Sequence, residues 1–301
     1  MSEKQTKLTR SPLQKYPFKT VYLASESPDL YTSKRLLQES KKLKYSTIWL
    51  NPYEQHISLN KKHSSPELEG LYFHRTSGTR YDDYDLLFAK YYQERGLKIS
   101  NPLKALDLFR KKDEQALFFD KHHLPTPDAI IYRGELTQKL WEEARKLSKN
   151  EKYVLKMARG NQGIGVNLIH GVQSLKSLLE TFHALRDQKF LIQPYIDHKR
   201  EWRLFFLKNQ LLATIERTLT KDDFRGNSKR ARAKLVKKIP PSLESMALKA
   251  SQLSGLDYCG IDIIENKDHF LILEVNPVPG FLQVEELSGI NIARELICQI
   301  R

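Results

Sequence analysis

The sequence predicts a mixed α/β protein in two unlike parts: a small N-terminal domain on a parallel sheet, then a larger α+β domain of antiparallel hairpins and helices. Three observations predict it. Over the first hundred residues short β-rich runs alternate with helical stretches. Beyond residue 150, strand pairs follow one another across short polar or glycine-rich turns. A composition of 40% hydrophobic and 29% charged residues in 301 suits a folded chain with a sizeable core.

The elements read in order. FKTVYLA from Phe18 is a strand, SESPD a turn with an N-cap candidate, the stretch to Leu43 a helix and STIWL a second strand, which is the alternation of a βαβ unit. LYFHR at 71–75 is a third strand and runs into the loop TSGTRYDD. Loops at this position of a parallel sheet often hold ligands, so Arg75, Thr76, Ser77 and Gly78 are candidates, with a structural salt bridge an equal alternative for Arg75. YDLLFAKYYQERG is a helix ending at Gly96, and LKIS a strand. Residues 101–124 read as one helical segment, opened by Asn101-Pro102, closed before Pro125 and carrying Arg110, Lys111 and Lys112. A helix at about 137–148 precedes YVLKMARGNQGIGVNLI, a strand, glycine-rich turn and strand. Because Val166 to Ile169 continues as β, the turn is neither a Walker P-loop nor a Rossmann fingerprint, both of which open a helix. A helix at about 174–187, the strand FLIQPYI and the strands WRLFFLK and QLLATIERT follow, the last two joined by a tight turn at Asn209 and Gln210. A basic loop, a helix near 242–254 and a last hairpin GIDIIENKDHFLILEVN complete the pattern.

Charge is localised. The net formal charge is +14, of which residues 1–20 carry +4 and residues 225–238 carry +7. The rest of the chain is nearly balanced, which favours a local anion-attracting surface and argues against a general nucleic-acid binder. Residues 1–17 are expected to be a disordered basic tail. No apolar run approaches the roughly 20 residues of a membrane span, and no apolar stretch follows the basic start, so a cytoplasmic location without a membrane partner is expected. Cys259 and Cys298 are the only cysteines. They are too few for a disulfide framework and sit in apolar surroundings.

Three constellations carry chemistry. In the last hairpin Asp262, Glu274 and Asn276 interrupt apolar strands. Glu274 and Asn276 share a face, and an odd number of turn residues about Lys267 would bring Asp262 to the same face. Oxygen ligands of these types suit a magnesium ion that keeps waters and substrate phosphates in its other positions. Next, the turn Gly160, Asn161, Gln162, Gly163, Ile164, Gly165 can fold backbone N–H groups over a polyphosphate. Lys156 lies just ahead of it in an apolar strand, where an anionic ligand would offset the cost of its charge, and Lys112 at the end of the preceding helix could add a second cation. Finally Arg203 and Arg217 on strands, with Arg225 and Asn227 in DFRGN, supply donors for phosphate and carboxylate oxygens.

In this order, NPLKALDLFRKKD, VLKMARGNQGIGV, IQPYI, EWR, TIER, DFRGN, GIDII and LEVNPVPG with the tail SGINIARELI resemble the ATP-grasp superfamily, in particular its RimK-like carboxylate–amine ligases, from about residue 70 to 300. The resemblance implies an N-terminal pre-ATP-grasp domain at 18–101 and an ATP-grasp domain at 102–301, with a central lid subdomain at about 125–192 and a C-terminal one at about 193–301. It implies ATP and Mg2+ as cofactors, two ions expected and Mn2+ an alternative. Lys112 and Lys156 would contact the phosphates, the 160–165 loop (Gly160, Gln162, Gly163, Gly165) would cover them, and Gln193, Pro194, Tyr195 and Ile196 would contact adenine. Glu201 would face the ribose, Arg225 and Asn227 the triphosphate, and Arg203 and Arg217 the transferred phosphoryl group and acyl intermediate. Asp262, Glu274 and Asn276 would hold the metal.

Two of these positions depart from the family pattern, Pro194 and Glu201 standing where an acidic residue and an aspartate are usual. SKRARAK after Asn227 replaces a glycine-containing His-Arg stretch. The implied activity joins an amino acid, glutamate favoured, to an acidic peptide, a protein C-terminus or a small carboxylate through an acylphosphate, and the basic 229–238 cluster would attract an acidic acceptor. Homo-oligomers are common in the family. A kinase of polyanionic small molecules and a non-catalytic nucleotide-binding module are the alternative functions of the fold.

Overall fold

The computed structural model describes residues 18–59, 67–77, 82–160, 163–184, 189–198, 200–219, 232–267 and 269–300. The candidates Gly78, Gln162, Arg225 and Asn227 and the basic tail lie outside the described residues.

The chain begins with β1 (Thr20–Ala24), α1 (Tyr31–Lys42), β2 (Ser46–Leu50), β3 (Leu71–His74), α2 (Tyr84–Gln93) and β4 (Lys98–Ser100). The four strands form a parallel sheet in the order β2-β1-β3-β4. The near-continuous apolar character of the central strands β1 and β3 follows from burial on both faces, whereas the edge strand β2 alternates with exposed residues. Val21, Leu23, Leu71 and Phe73 pack in one core cluster with Leu36 of α1, while Tyr22, Ala24 and Tyr72 pack in another with Phe88 and Ala89 of α2. The SESPD segment makes a side-chain turn, Asp29 N–H donating to Ser27 Oγ, and the helix starts after it at Tyr31.

The segment read as one helix is two, α3 (Leu103–Phe109) and α4 (Lys112–Lys121). The break has identifiable partners. Gln115 Nε2 donates to the Phe109 carbonyl at 2.9 Å, and the Lys112 N–H leaves the helix to donate to Ala158 O at 2.8 Å. Both orphaned backbone groups are thereby satisfied. Lys112 therefore opens a helix, contrary to the expectation that it ends one.

Next come β5 (Ile130–Tyr132), α5 (Gln138–Leu147), β6 (Lys152–Met157), β7 (Val166–His170), α6 (Val172–Ala184) and β8 (Phe190–Pro194). They make an antiparallel sheet, β5-β8-β6-β7, packed on α5 and α6. A second antiparallel sheet, β11-β10-β9-β12-β13, is built from β9 (Arg200–Leu207), β10 (Gln210–Thr218), β11 (Arg232–Leu235), β12 (Tyr258–Asn266) and β13 (His269–Asn276). α7 (Pro241–Ser254), α8 (Leu282–Ser288) and α9 (Ile292–Gln299) accompany it. The β9–β10 turn is Lys208-Asn209, one residue earlier than expected, with φ of 48° and 60°. That is the mirror-image turn whose twist matches a hairpin.

One face of the five-stranded sheet, with Trp202, Leu204, Phe206, Ile261 and Ile263, packs with Leu243, Ala247 and Ala250 of α7. Among the described residues no helix is long and apolar enough to cross a membrane. Cys259 is buried with its thiol pushed up to about 12 by burial, as a structural cysteine should be.

Candidate active site

The opposite face of the same sheet carries chemistry at one end and core at the other. Strand alternation puts Glu201, Arg203, Phe205 and Leu207 of β9 on it together. The registers add Arg217 opposite Glu201, Asp262 opposite Arg203, Glu274 opposite Asp262, and Asn276 opposite Gly260. Phe205, Leu207, Ile215 and Tyr258 continue this face into the core shared with the parallel sheet, α1 and α9.

The expected convergence of Asp262, Glu274 and Asn276 arises by a different route from the one read in the sequence. β12 and β13 are separated by only two residues, and beside the turn the pairs Asn266↔His269 to Ile263↔Ile272 have an odd sum. That register would set Asp262 against Leu273. A β-bulge at Leu273 adds one residue to β13, shifts the register and brings Glu274 opposite Asp262. Gly260 lets the following loop approach. A Cβ there would sit 3.0 Å from Pro279 Cβ and 3.8 Å from Arg203 Nε.

The ligand-type residues are already in an electrostatic frame. Arg203 donates to both oxygens of Asp262, Nε to Oδ1 at 2.7 Å and Nη2 to Oδ2. Arg217 Nη1 lies 3.9 Å from Asp262 Oδ1, and its Nε donates to Gln283 of α8 at 3.1 Å. Burial lowers the Arg217 pKa to about 10, the neighbouring Arg203 adding to the effect. Glu274 lines the cavity and makes no hydrogen bond or ion pair among the described residues.

The loop after β13 is held from the N-terminal side. Arg75 Nη2 donates to Pro279 O at 2.9 Å, and Asn101 Nδ2 donates to Pro277 O and Tyr258 O, both at 2.8 Å. Asn101 Oδ1 accepts from the Tyr258 N–H at 2.9 Å. Arg75 and Thr76 are thus buried hydrogen-bonding groups, and Ser77 reaches the cavity.

The facing wall comes from the β6–β7 hairpin, β8 and the linker after it. Lys156, Gly160, Gly163, Gln193, Pro194, Tyr195 and Ile196 line a cavity of about 390 Å³ together with Lys112, Glu201, Arg203, Arg217, Asp262, Glu274 and Asn276. Gly165 is in the turn but not in the wall. Its φ is +74°, and a Cβ would come within 2.7 Å of Met157 Sδ. Lys112 Nζ donates to Gly160 O. The Lys156 ammonium has no hydrogen bond or ion pair among the described residues, and its pKa falls to about 8 through burial and the charge of Lys112, with Glu274 and Glu201 opposing. The two lysines therefore converge on one space, which Glu201 and Glu274 also line.

Two titratable wall residues are missing from the sequence reading of this site. In the sequence Arg110 stands out only as part of a basic triplet. His198, three residues before Glu201, has its Nδ1 2.7 Å from Ile196 O and its Nε2 3.3 Å from Glu201 Oε1. A carbonyl and a carboxylate are acceptors only, so each ring nitrogen serves as a donor and the ring fits as imidazolium. Burial alone would lower its pKa, but the Glu201 carboxylate and Ile196 carbonyl more than offset this and raise it.

Comparison with known proteins agrees with this geometry. Residues 108–300 match the RimK-like ATP-grasp domain. A protein of Haemophilus influenzae (strain PittEE) called a probable alpha-L-glutamate ligase is 27% identical over 289 residues, covering 90% of this chain and 94% of that protein. Among solved structures, the RimK domain protein ATP-grasp from Sphaerobacter thermophilus superposes with a TM-score of 0.70 at 15% identity, over 91% of this chain and 97% of the other. The ATP-grasp ligase PsnB, complexed with a phosphomimetic precursor variant, Mg and ADP, gives 0.69 at 14% identity, over 93% and 97%. With its parallel and antiparallel sheets, its shared cavity and a family match across most of its length, the chain belongs to the RimK-like ATP-grasp family.

Proposed function

We propose that this protein is an ATP- and Mg2+-dependent carboxylate–amine ligase that forms an amide bond, adding glutamate or another amino acid to a peptide, protein or small carboxylate acceptor. One observation carries the reading: Asp262, Glu274 and Asn276 share a sheet face with Arg203 and Arg217, across the cavity from Lys112 and Lys156. The all-oxygen donor set of two carboxylates and one carboxamide fits a hard divalent cation, with Glu274 unengaged by other side chains. Those three residues would hold Mg2+, two ions being the working number and Mn2+ an alternative. The metal would neutralise charge on the phosphates.

The chain's own groups then have definite tasks. Lys112 and Lys156 hold the triphosphate, with the 160–165 turn as its cover. Gln193 to Ile196 form the adenine-side wall, and Glu201 faces the ribose. A substrate carboxylate oxygen attacks the γ-phosphorus, ADP leaves, and an amine displaces phosphate from the acylphosphate to give the amide. Arg203 and Arg217 lie where negative charge would develop on the transferred phosphoryl group and the acyl intermediate. No side-chain nucleophile is required. The three sheets support a division into a pre-ATP-grasp domain at 18–101 and an ATP-grasp domain with a lid at about 125–192. The names of the glutamate-ligase relative and of PsnB complexed with a precursor peptide support the choice of substrates.

The test is incubation with ATP, Mg2+ and each amino acid in turn, scored by phosphate release and product mass. Amine-dependent release of ADP and phosphate with a mass gain of one amino-acid residue is expected. Phosphate retained on a substrate without any amine would make the protein a kinase and refute the proposal.

A further inference from the structure

Arg110, in the break between α3 and α4, has no task in the chemistry above, yet it lines the same cavity. Its side chain is 7% exposed, and Nη1 donates to Asp85 Oδ1 at 3.0 Å. Asp85 is wholly buried at the start of α2. Its other oxygen accepts from Thr76 Oγ1 at 2.6 Å and lies 3.2 Å from His74 Nε2. Burial would raise this carboxyl's pKa, but the contacts with His74, Arg110 and Thr76 reverse that and hold it below the ordinary range, so the acid is ionised.

Asp85 is the only hydrogen-bond partner of Arg110 among the described residues. The Nε and Nη2 donors of Arg110 have none. Neither nitrogen is among the sealed polar atoms that lack a partner. Solvent therefore reaches both donors, and the cavity is the space that this little-exposed side chain lines. Ser77 lines it too, from the loop at the carboxyl end of β3, the side of a parallel sheet where ligands bind.

The charge state selects the ligand. Asp85 already balances the guanidinium, so the site offers directed planar donors without surplus charge, unlike the ammonium groups of Lys112 and Lys156, which have no ion-pair partner among the described residues. A singly charged carboxylate meets that fork with two parallel hydrogen bonds. Amide synthesis consumes one carboxylate and one amine, and an amino acid supplying the amine keeps an α-carboxylate that takes no part. Enclosed beside the acyl group, that carboxylate needs its own partner. We propose that Arg110, held by Asp85 and joined by Ser77, binds the non-reacting α-carboxylate of the amino-acid substrate, an assignment that rests on the ligase reading. Asp85, His74 and Thr76 are then positioning residues acting through Arg110.

The test is calorimetric titration of the full chain with L-glutamate, with 4-aminobutyrate, which is glutamate without its α-carboxylate, and with ATP, all in Mg2+. Other amino acids replace glutamate if it does not bind. Arg110→Ala and Arg110→Lys should each weaken glutamate by about tenfold or more, since lysine keeps the charge but loses the fork, and leave ATP within about twofold. Wild-type protein should bind 4-aminobutyrate at least about tenfold more weakly than glutamate, and the substitutions should not change it. Should Arg110→Ala unfold because Asp85 loses its partner, Asp85→Asn with Arg110→Met removes both charges and gives the same reading.

Unchanged glutamate affinity overturns the subsite. Equal loss of ATP affinity overturns it by making Arg110 a phosphate contact, and wild-type binding of 4-aminobutyrate as tight as glutamate overturns it by assigning the carboxylate to the acceptor. In all three cases amine-dependent ADP release by wild type would leave the ligase reading intact. A wild-type protein that binds no amino acid and releases no ADP overturns both.

Discussion

Replacing Asn101 with alanine removes a side chain that acts as a strand substitute. β13 ends at Asn276, and β12 begins at Tyr258, beyond the last cross-strand pair Gly260↔Asn276. The Tyr258 N–H and C=O would be orphaned on that side, and the Asn101 carboxamide serves both, at 2.9 and 2.8 Å, while donating to Pro277 O at 2.8 Å. Asn101 is 0% exposed. Alanine therefore leaves three backbone groups without their partner at an enclosed site. At roughly 1–3 kcal/mol for each unsatisfied group, and with partial relaxation, the expected loss is about 3–6 kcal/mol. Urea unfolding followed by circular dichroism measures it as a lower midpoint at unchanged slope. Because Pro277 adjoins Asn276, stabilisation by saturating Mg–ADP should shrink as well. A loss below about 1 kcal/mol would refute the reasoning, because it would mean that water or a neighbouring group satisfies all three at no cost.

The other predictions concern charge and backbone. Lys156→Met should abolish measurable ATP binding, and wild-type affinity should fall as pH rises through about 8, where the buried ammonium loses its proton; calorimetry across that range checks both, and a flat profile contradicts them. The His198 pKa is raised on folding, so its contribution to stability is complete below its unfolded pKa near 6.5 and disappears as pH rises through the folded value. The gap in melting temperature between wild type and His198→Ala should therefore narrow from pH 5.5 to pH 8.5, and a widening gap would exclude the imidazolium. Gly165→Ala forces a Cβ into 2.7 Å contact with Met157 Sδ at a φ of +74° and should cost about 1–3 kcal/mol. Gly280→Ala, with nothing within 4 Å of its Cβ, should cost under about 0.5 kcal/mol in the same thermal melts.

Much of the architecture was legible because burial writes itself into residue order. The apolar runs TVYLA and LYFH marked a sheet covered on both sides, and Asp262, Glu274 and Asn276 stood out because apolar residues flank each of them. What escaped detection depended on contacts remote in sequence. The bulge at Leu273 is invisible within FLILE, where consecutive apolar residues erase the alternation that would reveal a change of phase. The break at Arg110–Lys111 is hidden because helix-compatible residues run through it, and the partners that stabilise it lie at Gln115 and Ala158. β5 and β11, only three and four residues long, sit at sheet edges and carry too little periodicity to notice. Likewise the anchoring of Arg110 by Asp85 exists only once separate segments have met, while the contacts of His198 with Ile196 and Glu201 are local but depend on a loop shape that residue order does not reveal.

The extra residue in β13 separates two jobs that one strand would otherwise have to perform in the same phase. On the turn side of Leu273, β13 answers to the packing of Ile272 and Phe270 beside α7. On the far side it presents Glu274 and Asn276 to the cavity. Flattening the bulge with Leu273 kept, so that Leu273 paired with Asp262, would rotate the second half by one step, turn Glu274 and Asn276 toward the hydrocarbon layer beside α7 and hand the cavity Val275. The bulge is thus a step between two gears, and the side chain that fills it can change as long as that residue stays out of the pairing.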